Sequence, residues 1–484
     1  MKNCPYSKLW VLLPLALAAV LRCLFVAKPD IGSDECFSLF YAQFSPAEII
    51  RTLIQGDNPP LWELLLHFWI RLFGISVVSL RAMSVLFSSA TVLPIYLTGE
   101  RFVGRHAGLA ASLAYAFCTF SIFLSHDGRV YSLVGMLAAW STYLFLLLIN
   151  DESHRRRRWL WLTVVNLLIM YSHYMAIWVL VAEFATAMIH GESRKRMRRG
   201  GLAHIGALAV GYIPMYPVLW RRFLDSGLHG TWISRSTGVH DLYFMLGSYT
   251  NAPVVTALTM LLTAFTAVYT IVRIVQRKAS FSNTTRLTLL WAVPAVVSFG
   301  LSFLVGFLFN RYFYFLVPTY LLALTAYAYR LAGDTKWLQW LLPSALVLLM
   351  TVSVEPDSRL VRYGGWKGDT SAVVAQIVNT TANNKANVVL VPEWDDKQMV
   401  YYLDPQHQAF HTKGRLEEPV FEPYLTQQGW FYGGSEYVPQ HDTVLIVHEN
   451  WIETDDEELR LSELGYVRIS DEHFLQMGIL TYAK

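Results

Sequence analysis

Residues 9–35, LWVLLPLALAAVLRCLFVAKPDIGSDE, decide the fold. The stretch opens on an apolar run from Leu9 to Ala27 and ends on Ile31-Gly32-Ser33-Asp34-Glu35, which sets two adjacent carboxylates just beyond that run. An apolar run of this length reads as a membrane-spanning helix. It follows Lys2 and Lys8 and resembles a signal peptide, but it is long enough to span and has no clear small-residue cleavage site, so we read a retained first helix. Carboxylates at a membrane boundary are costly unless solvated, paired or used. A lone Asp-Glu pair is more often a hydrated loop, so the rest of the chain has to decide.

Composition points the same way. Of 484 residues, 54% are hydrophobic and 15% charged, against roughly a quarter charged in soluble domains. The net charge of +3 is too small to suggest a nucleic-acid partner. Cys4, Cys23, Cys36 and Cys118 show no metal-ligand spacing and no disulfide framework.

Apolar runs near 9–27, 80–99, 107–125, 130–149, 159–173, 175–189, 201–219, 251–272, 287–307, 312–330 and 337–353 predict about eleven spanning helices. The basic residues fall on alternate loops. Arg101 and Arg105, Arg155 to Arg158, Arg194 to Arg199, Arg273 to Arg286, and Arg330 with Lys336 mark the inner side. This places the N-terminus in the cytoplasm and the C-terminus outside. We read these clusters as topology determinants, not binding sites.

The first outer segment, 28–79, carries more structure than a loop. Ser45-Pro46-Ala47-Glu48 is a capping box with proline in the first turn, predicting a short interfacial helix that runs to Gln55 and stops at Gly56. Asp57-Asn58-Pro59-Pro60 makes a rigid turn. Leu61 to Phe73, closed by Gly74, is too short to span comfortably and reads as a second juxtamembrane helix. The polar tight turns Ser125-His126-Asp127-Gly128-Arg129-Val130-Tyr131, Tyr171-Ser172-His173-Tyr174 and Asn310-Arg311-Tyr312 all fall on the same outer side. Beyond Val354 the long apolar runs end. Strands at Asn387–Val391 and Thr443–Val447, with helices at 370–379 and 456–464, predict a small α/β domain outside the membrane. The chain thus reads as an α-helical polytopic membrane protein, with a transmembrane domain over 1–354 and an extracytoplasmic α/β domain over 355–484.

Polar groups gathered on one rim suit sugar transfer from a lipid phosphate. Asp34 is the candidate base for an acceptor hydroxyl, and Glu35 would orient it or bond substrate. Arg129 and Arg311 offer planar guanidinium forks for a phosphate, although each alone also fits as an interfacial anchor. Tyr131, His173, Tyr174 and Tyr312 are candidates to line a sugar pocket, with His126 and Asp127 as further polar ligands or partners of Arg129. Interfacial tyrosines are more often anchors. No cluster dictates a metal and no cofactor is expected; a divalent ion near Asp34, Glu35 and a histidine is the alternative, without support from the residue pattern.

These residues resemble the GT-C class of membrane glycosyltransferases, in particular the bacterial family 39-like group related to protein O-mannosyltransferases and the lipid A aminoarabinose transferase. The resemblance rests on Ser33-Asp34-Glu35, Asn58-Pro59-Pro60-Leu61-Trp62, Leu80-Arg81, Gly99 to Gly104, Ser125 to Tyr131, Ser172-His173-Tyr174 and Arg311-Tyr312. It is dense over roughly 30–135 and sparser to 320, and the C-terminal domain matches the variable appendage of the class. It implies an inverting transfer from a polyprenyl-phosphate monosaccharide on the outer face, usually without a metal. Asp34 would be the base and Arg129 a donor-phosphate ligand. Asn58 stands where the group often has His or Lys before Pro-Pro, and His126-Asp127-Gly128 stands where it often has Gln-Glu-Ala, so no sugar identity carries over. The acceptor is a glycolipid, an envelope polysaccharide or a protein. The competing readings are a transporter or flippase of lipid-linked glycans and a non-catalytic scaffold. A transporter should show broken helices or ionisable groups at mid-membrane, whereas the spans read as clean.

Overall fold

A computed structural model describes residues 9–55, 58–189, 191–229, 233–251, 253–276, 281–352, 369–383, 385–404, 406–412 and 419–484. The chain forms two compact units. One comprises Met1–Leu24, Leu53–Trp62 and Arg81–Pro356, and the other Phe25–Thr52, Glu63–Leu80 and Asp357–Lys484. Much of the segment 28–79 therefore groups with the C-terminal residues.

In the N-terminal half the helices are α1 (Leu12–Cys23), α2 (Ser33–Tyr41), α3 (Pro46–Gln55), α4 (Leu61–Phe73), α5 (Val77–Ala90), α6 (Val92–Phe102), α7 (Arg105–Phe117), α8 (Thr119–Ser125) and α9 (Tyr131–Asn150). Next come α10 (Arg155–Met170), α11 (Ile177–Ile189), α12 (Gly191–Gly211), α13 (Tyr216–His229), α14 (Val239–Thr250), α15 (Pro253–Val275), α16 (Asn283–Ser302), α17 (Val317–Leu331) and α18 (Lys336–Val352). The remainder is α19 (Thr370–Asn383), β1 (Ala386–Val391), α20 (Asp396–Leu403), α21 (Gln408–Thr412), α22 (Glu422–Gln427), β2 (Trp430–Tyr432), β3 (Thr443–Glu449), α23 (Asp455–Glu463), β4 (Val467–His473) and β5 (Met477–Ala483).

Each predicted apolar run coincides with a helix or a bent helix pair. Among the described residues three helices are long and apolar enough to cross a membrane, or five if each bent pair is one span. A further helix carries a greasy exposed face. On α15, Val254, Leu261, Phe265 and Val275 are each at least two-thirds exposed, a surface that water would not tolerate at this extent and lipid would.

The expectation of clean spans does not hold. α7 and α8 meet at 58°, and the segments on either side of Tyr212 meet at 50°. Pro214 lies at the second break and cannot continue the hydrogen-bond ladder. The first break contains no proline; a side chain enters the ladder instead. Asn251 Oδ1 accepts from the Thr119 amide (2.9 Å) and hydroxyl (2.7 Å), while its Nδ2 donates to Phe117 O (2.7 Å). Arg22 serves the neighbouring carbonyls, donating to Tyr115 O (3.1 Å) and Ala116 O (3.2 Å). Asn251→Leu would orphan the Thr119 amide and hydroxyl and the Phe117 carbonyl, at about 1–3 kcal/mol each. The expected result is a marked loss of thermal stability in detergent, with Asn251→Asp losing less.

A second polar network lies within the helices. Glu183 accepts from Ser141 Oγ (2.5 Å) and Asn166 Nδ2 (3.0 Å), and all three residues are buried. The sequence reading, which placed the important polar groups on one rim, missed it because each residue is isolated in its own apolar run. Elsewhere, α6 and α7 touch backbone to backbone: a Cβ on Gly108 would sit 2.6 Å from Glu100 N. Such close approach is how small residues tighten helix pairs in lipid.

Within residues 28–79 the two predicted helices form as α3 and α4, and α2, where the sequence reads as a loop, precedes them. The Ser45 amide donates to Glu48 Oε2 (3.0 Å) while the Glu48 amide donates back to Ser45 Oγ (3.4 Å), the reciprocal capping box that opens α3. α3 ends at Gln55; the predicted stop at Gly56, with Asp57, lies outside the described residues. α4 ends at Phe73, where Gly74 takes a left-handed φ of +80°.

The C-terminal residues form a mixed sheet in the order β2-β1-β3-β5-β4. β1 is parallel to β2 and β3, with Val388 opposite Leu445, and β5 runs antiparallel to β3 and β4. Val389, Val444, Ile446, Leu461, Leu480 and Tyr482 fill one core. β1, β3, α19 and α23 fall where predicted. β4 (VRISDEH) escaped notice because it is a largely exposed edge strand with no apolar run.

Candidate functional site

In the first unit, two motifs from distant parts of the chain interlock. Trp62 Nε1 donates to Gly128 O (3.0 Å), and Arg129 Nη2 donates to Asn58 Oδ1 (3.4 Å). Ser84 Oγ donates to Asp127 O (2.8 Å) and reaches Arg129 O (3.4 Å). His126 Nε2 donates to Arg22 O (2.8 Å). The turn 126–129 is thus held at several points, which fixes where the Arg129 side chain starts.

Around Arg129 the structure gathers Asn58, Tyr131, His173, Arg311 and Tyr312. The Tyr131 and Tyr312 rings are 6.4 Å apart at 23°. His173 lies 5.9 Å from Tyr131 and 5.1 Å from Tyr312 by ring centroid. The Arg311 guanidinium sits 5.6 Å over Tyr131 and 5.1 Å over Phe309. The charges of both Arg129 and Arg311 reach His173. His173 Nδ1 accepts from the Met175 amide (3.2 Å), so the neutral ring carries its proton on Nε2. Two guanidiniums and three aromatic rings in one place form an arrangement suited to a phosphate and a sugar ring.

Not every predicted residue joins this group. His126 and Asp127 are buried, and the His126 ring and the Asp127 carbonyl hold the turn. Tyr174 packs instead against the cluster of Tyr212, Met215 and Val218, with Tyr171 and Leu219.

In the second unit, Asp34 and Glu35 lie in the first turn of α2, not in the loop that the sequence suggested. Glu35 is fully buried, and its Oε2 accepts from the Gly32 amide (3.0 Å), so it caps its own helix. Asp34 is half-buried. The approach to α2 is tied to the C-terminal fold. Tyr402 Oη accepts from Ile31 N (2.9 Å), Gln398 Nε2 donates to Ile31 O (2.9 Å), and Asp30 Oδ2 accepts from Ser371 N (2.7 Å).

Sequence reasoning missed two carboxyls here, Asp395 and Glu449. Asp395 is fully buried, and burial with the nearby Glu449 and Asp396 carboxylates pushes its carboxyl well above the usual range, against the pull of Ser33 and Lys397. Burial and Asp34 push Glu449 up to about 7. The available signal was topological: Glu449 ends β3 and Asp395 follows β1, the carboxyl ends of adjacent parallel strands, where α/β sheets place functional groups. Among the described residues no group of three or more His, Cys, Asp or Glu could hold a metal ion.

Residues 57–220 match the family of dolichyl-phosphate-mannose-protein mannosyltransferases. A search of curated proteins finds no match. Among solved structures, ArnT from Cupriavidus metallidurans in the apo state is 14% identical, with a TM-score of 0.56, covering 98% of each chain. The same protein bound to undecaprenyl phosphate gives a TM-score of 0.57 over the same coverage. The oligosaccharyltransferase of Archaeoglobus fulgidus, in complex with Zn and sulfate, is 11% identical with a TM-score of 0.54, covering 98% of this chain and 73% of that one. The chain is therefore similar in fold to membrane glycosyltransferases of the GT-C class, related to protein mannosyltransferases and ArnT, and it carries the mannosyltransferase sequence pattern over residues 57–220.

Proposed function

We propose that the chain is an integral-membrane glycosyltransferase that moves a monosaccharide from a polyprenyl-phosphate donor to an envelope acceptor on the outer face of the cell membrane. The acceptor is a glycolipid, a polysaccharide or a protein. The topology behind this reading has about eleven spans, a cytoplasmic N-terminus and an extracytoplasmic C-terminal domain. One observation carries the proposal: the cationic aromatic group of Arg129, Arg311, His173, Tyr131 and Tyr312. It is supported by a similar fold that binds undecaprenyl phosphate in ArnT and occurs with dolichol-phosphate in the archaeal oligosaccharyltransferase AglB.

In this reading Asp34 takes the proton of an acceptor hydroxyl as that oxygen attacks the anomeric carbon. The bond from that carbon to the phosphate oxygen breaks, and the polyprenyl phosphate leaves with the electron pair. Attack opposite the leaving group inverts the anomeric centre. Arg129 and Arg311 stabilise the charge that grows on the departing phosphate. No cofactor is assigned. The test is incubation of the purified protein with polyprenyl-phosphate monosaccharides and envelope extracts. Release of polyprenyl phosphate coupled to a glycosylated product supports the proposal, and no release with any donor contradicts it.

The bent helix pairs and the buried Glu183 network favour a second reading, a transporter of lipid-linked glycans. Reconstituted vesicles separate the two: a transporter moves a labelled lipid-linked sugar between leaflets without consuming it, and Glu183→Gln slows that movement.

A further inference from the structure

Within the first unit, the break between α7 and α8 lies at the root of both candidate phosphate arginines. At the break Cys118 leaves the helix with an extended ψ of 111°. α8 then runs only from Thr119 to Ser125 before the turn that carries Arg129. Arg22 is fully buried and fastens the end of α7. Besides bonding Tyr115 O and Ala116 O, it donates through Nε to Ser88 Oγ (2.7 Å), and its guanidinium lies 4.9 Å from the centre of the Tyr115 ring. Two serines one turn apart on α5 hold both levels, Ser88 at the break and Ser84 at the turn.

A second arm runs from the same point to Arg311. The hydroxyls of Tyr115 and Tyr314 share a hydrogen bond (2.7 Å), and both residues are buried. Tyr314 lies in the short helical segment Asn310–Leu316, three residues after Arg311. Its ring fills a notch in α9, where a Cβ on Gly135 would sit 2.7 Å from Tyr314 Cε1. Gly135 is one turn beyond Tyr131, the ring that faces the Arg311 guanidinium. α14 holds the same segment: Tyr249 Oη donates to Phe313 O (2.9 Å), and Asn310 Nδ2 donates to Ser248 Oγ (2.9 Å). α14 ends at Asn251, the residue that enters the break.

We propose that Tyr115 and Tyr314 are positioning residues for the donor: their hydroxyl pair ties the segment of Arg311 to the break that leads to Arg129, and so fixes the spacing of two guanidiniums that grip one phosphate. The assignment rests on the reading of Arg129 and Arg311 as ligands of the donor phosphate. Planar guanidinium forks bind phosphate oxygens in a fixed geometry. Two forks act together only when each is already in place, and side chains locked by buried hydrogen bonds keep them there. Neither tyrosine has to touch the donor to do this.

Tyr314→Phe removes one hydroxyl and keeps the ring in its notch, which makes it the cleanest test. Polyprenyl phosphate and the matching polyprenol are each titrated into the full chain in lipid nanodiscs. Tyr314→Phe should weaken phosphate binding about two- to tenfold and leave polyprenol binding unchanged, and Tyr115→Phe should act in the same direction. Beside Arg311→Ala, Tyr314→Phe should cost nothing further, because the hydroxyl works through that arginine. Unchanged phosphate affinity in either tyrosine variant, an equal loss of polyprenol binding, or a loss that persists in full beside Arg311→Ala overturns the inference. Each of those results leaves the proposed function standing as long as wild type prefers the phosphate to the polyprenol. A wild type that binds both lipids equally removes the phosphate role and the inference with it. If Tyr314 and Arg311 are coupled but no sugar is transferred under any condition, the proposed function falls and the positioning role stands.

Discussion

Replacing Asp34 with Asn is expected to cut sugar transfer by about two to four orders of magnitude while leaving donor binding nearly unchanged. Losing a general base typically removes 10²–10⁴ in rate. The substitution preserves size and hydrogen-bonding shape, so the first turn of α2 should persist: its cap comes from Glu35, not from Asp34. Single-turnover transfer together with donor affinity separates the effects. A fall in kcat at constant affinity fits a group that acts only in the transition state. An unchanged rate would remove Asp34 from catalysis. Glu35→Gln makes an informative contrast, since it damages a buried cap and should lower stability before it touches chemistry.

The second large effect concerns the donor phosphate. Arg129→Ala removes a guanidinium from a site that also holds Arg311. A hydrogen bond to a charged group contributes about 1.5–3 kcal/mol, so affinity for polyprenyl phosphate should fall about ten- to a hundredfold. Arg129→Lys should recover part of it, because lysine keeps the charge but not the two-pronged geometry. Arg311→Ala should act in the same direction, and the double variant should lose more than either alone. Titration of polyprenyl phosphate into the protein in lipid nanodiscs measures each case. Unchanged affinity in both single variants would reject the phosphate role.

Local signals in the sequence were read well. The Ser45-Pro46-Ala47-Glu48 box, the stop of α4 before Gly74 and the strands β1 and β3 depend on residues close together in the chain, and each forms as expected. Spacing between motifs was less legible. Nothing in Asn58-Pro59-Pro60-Leu61-Trp62 says that its first and last residues will bond Arg129 and Gly128. Resemblance to a known class linked the two motifs; residue pattern alone did not. Three features stayed hidden for physical reasons. Asn251 breaks the α7–α8 ladder from 132 residues away, so the run 107–125 looked continuous. Glu183, Asn166 and Ser141 each sit alone in an apolar run and find each other only on folding. Asp395 and Glu449 are far apart in sequence, and parallel pairing of β1 with β3 places their strand ends side by side. Tyr174 was grouped with His173 because they are adjacent in sequence, yet its ring joins the Tyr212 cluster.

Mass analysis of cell-envelope glycans tests the central claim most directly. Cells carrying wild-type protein should contain a glycolipid, polysaccharide or protein heavier by one monosaccharide than its counterpart in cells lacking the protein. Cells with Asp34→Asn should match the latter, with the lipid-linked sugar accumulating. Identical envelope glycans in all three would contradict the account.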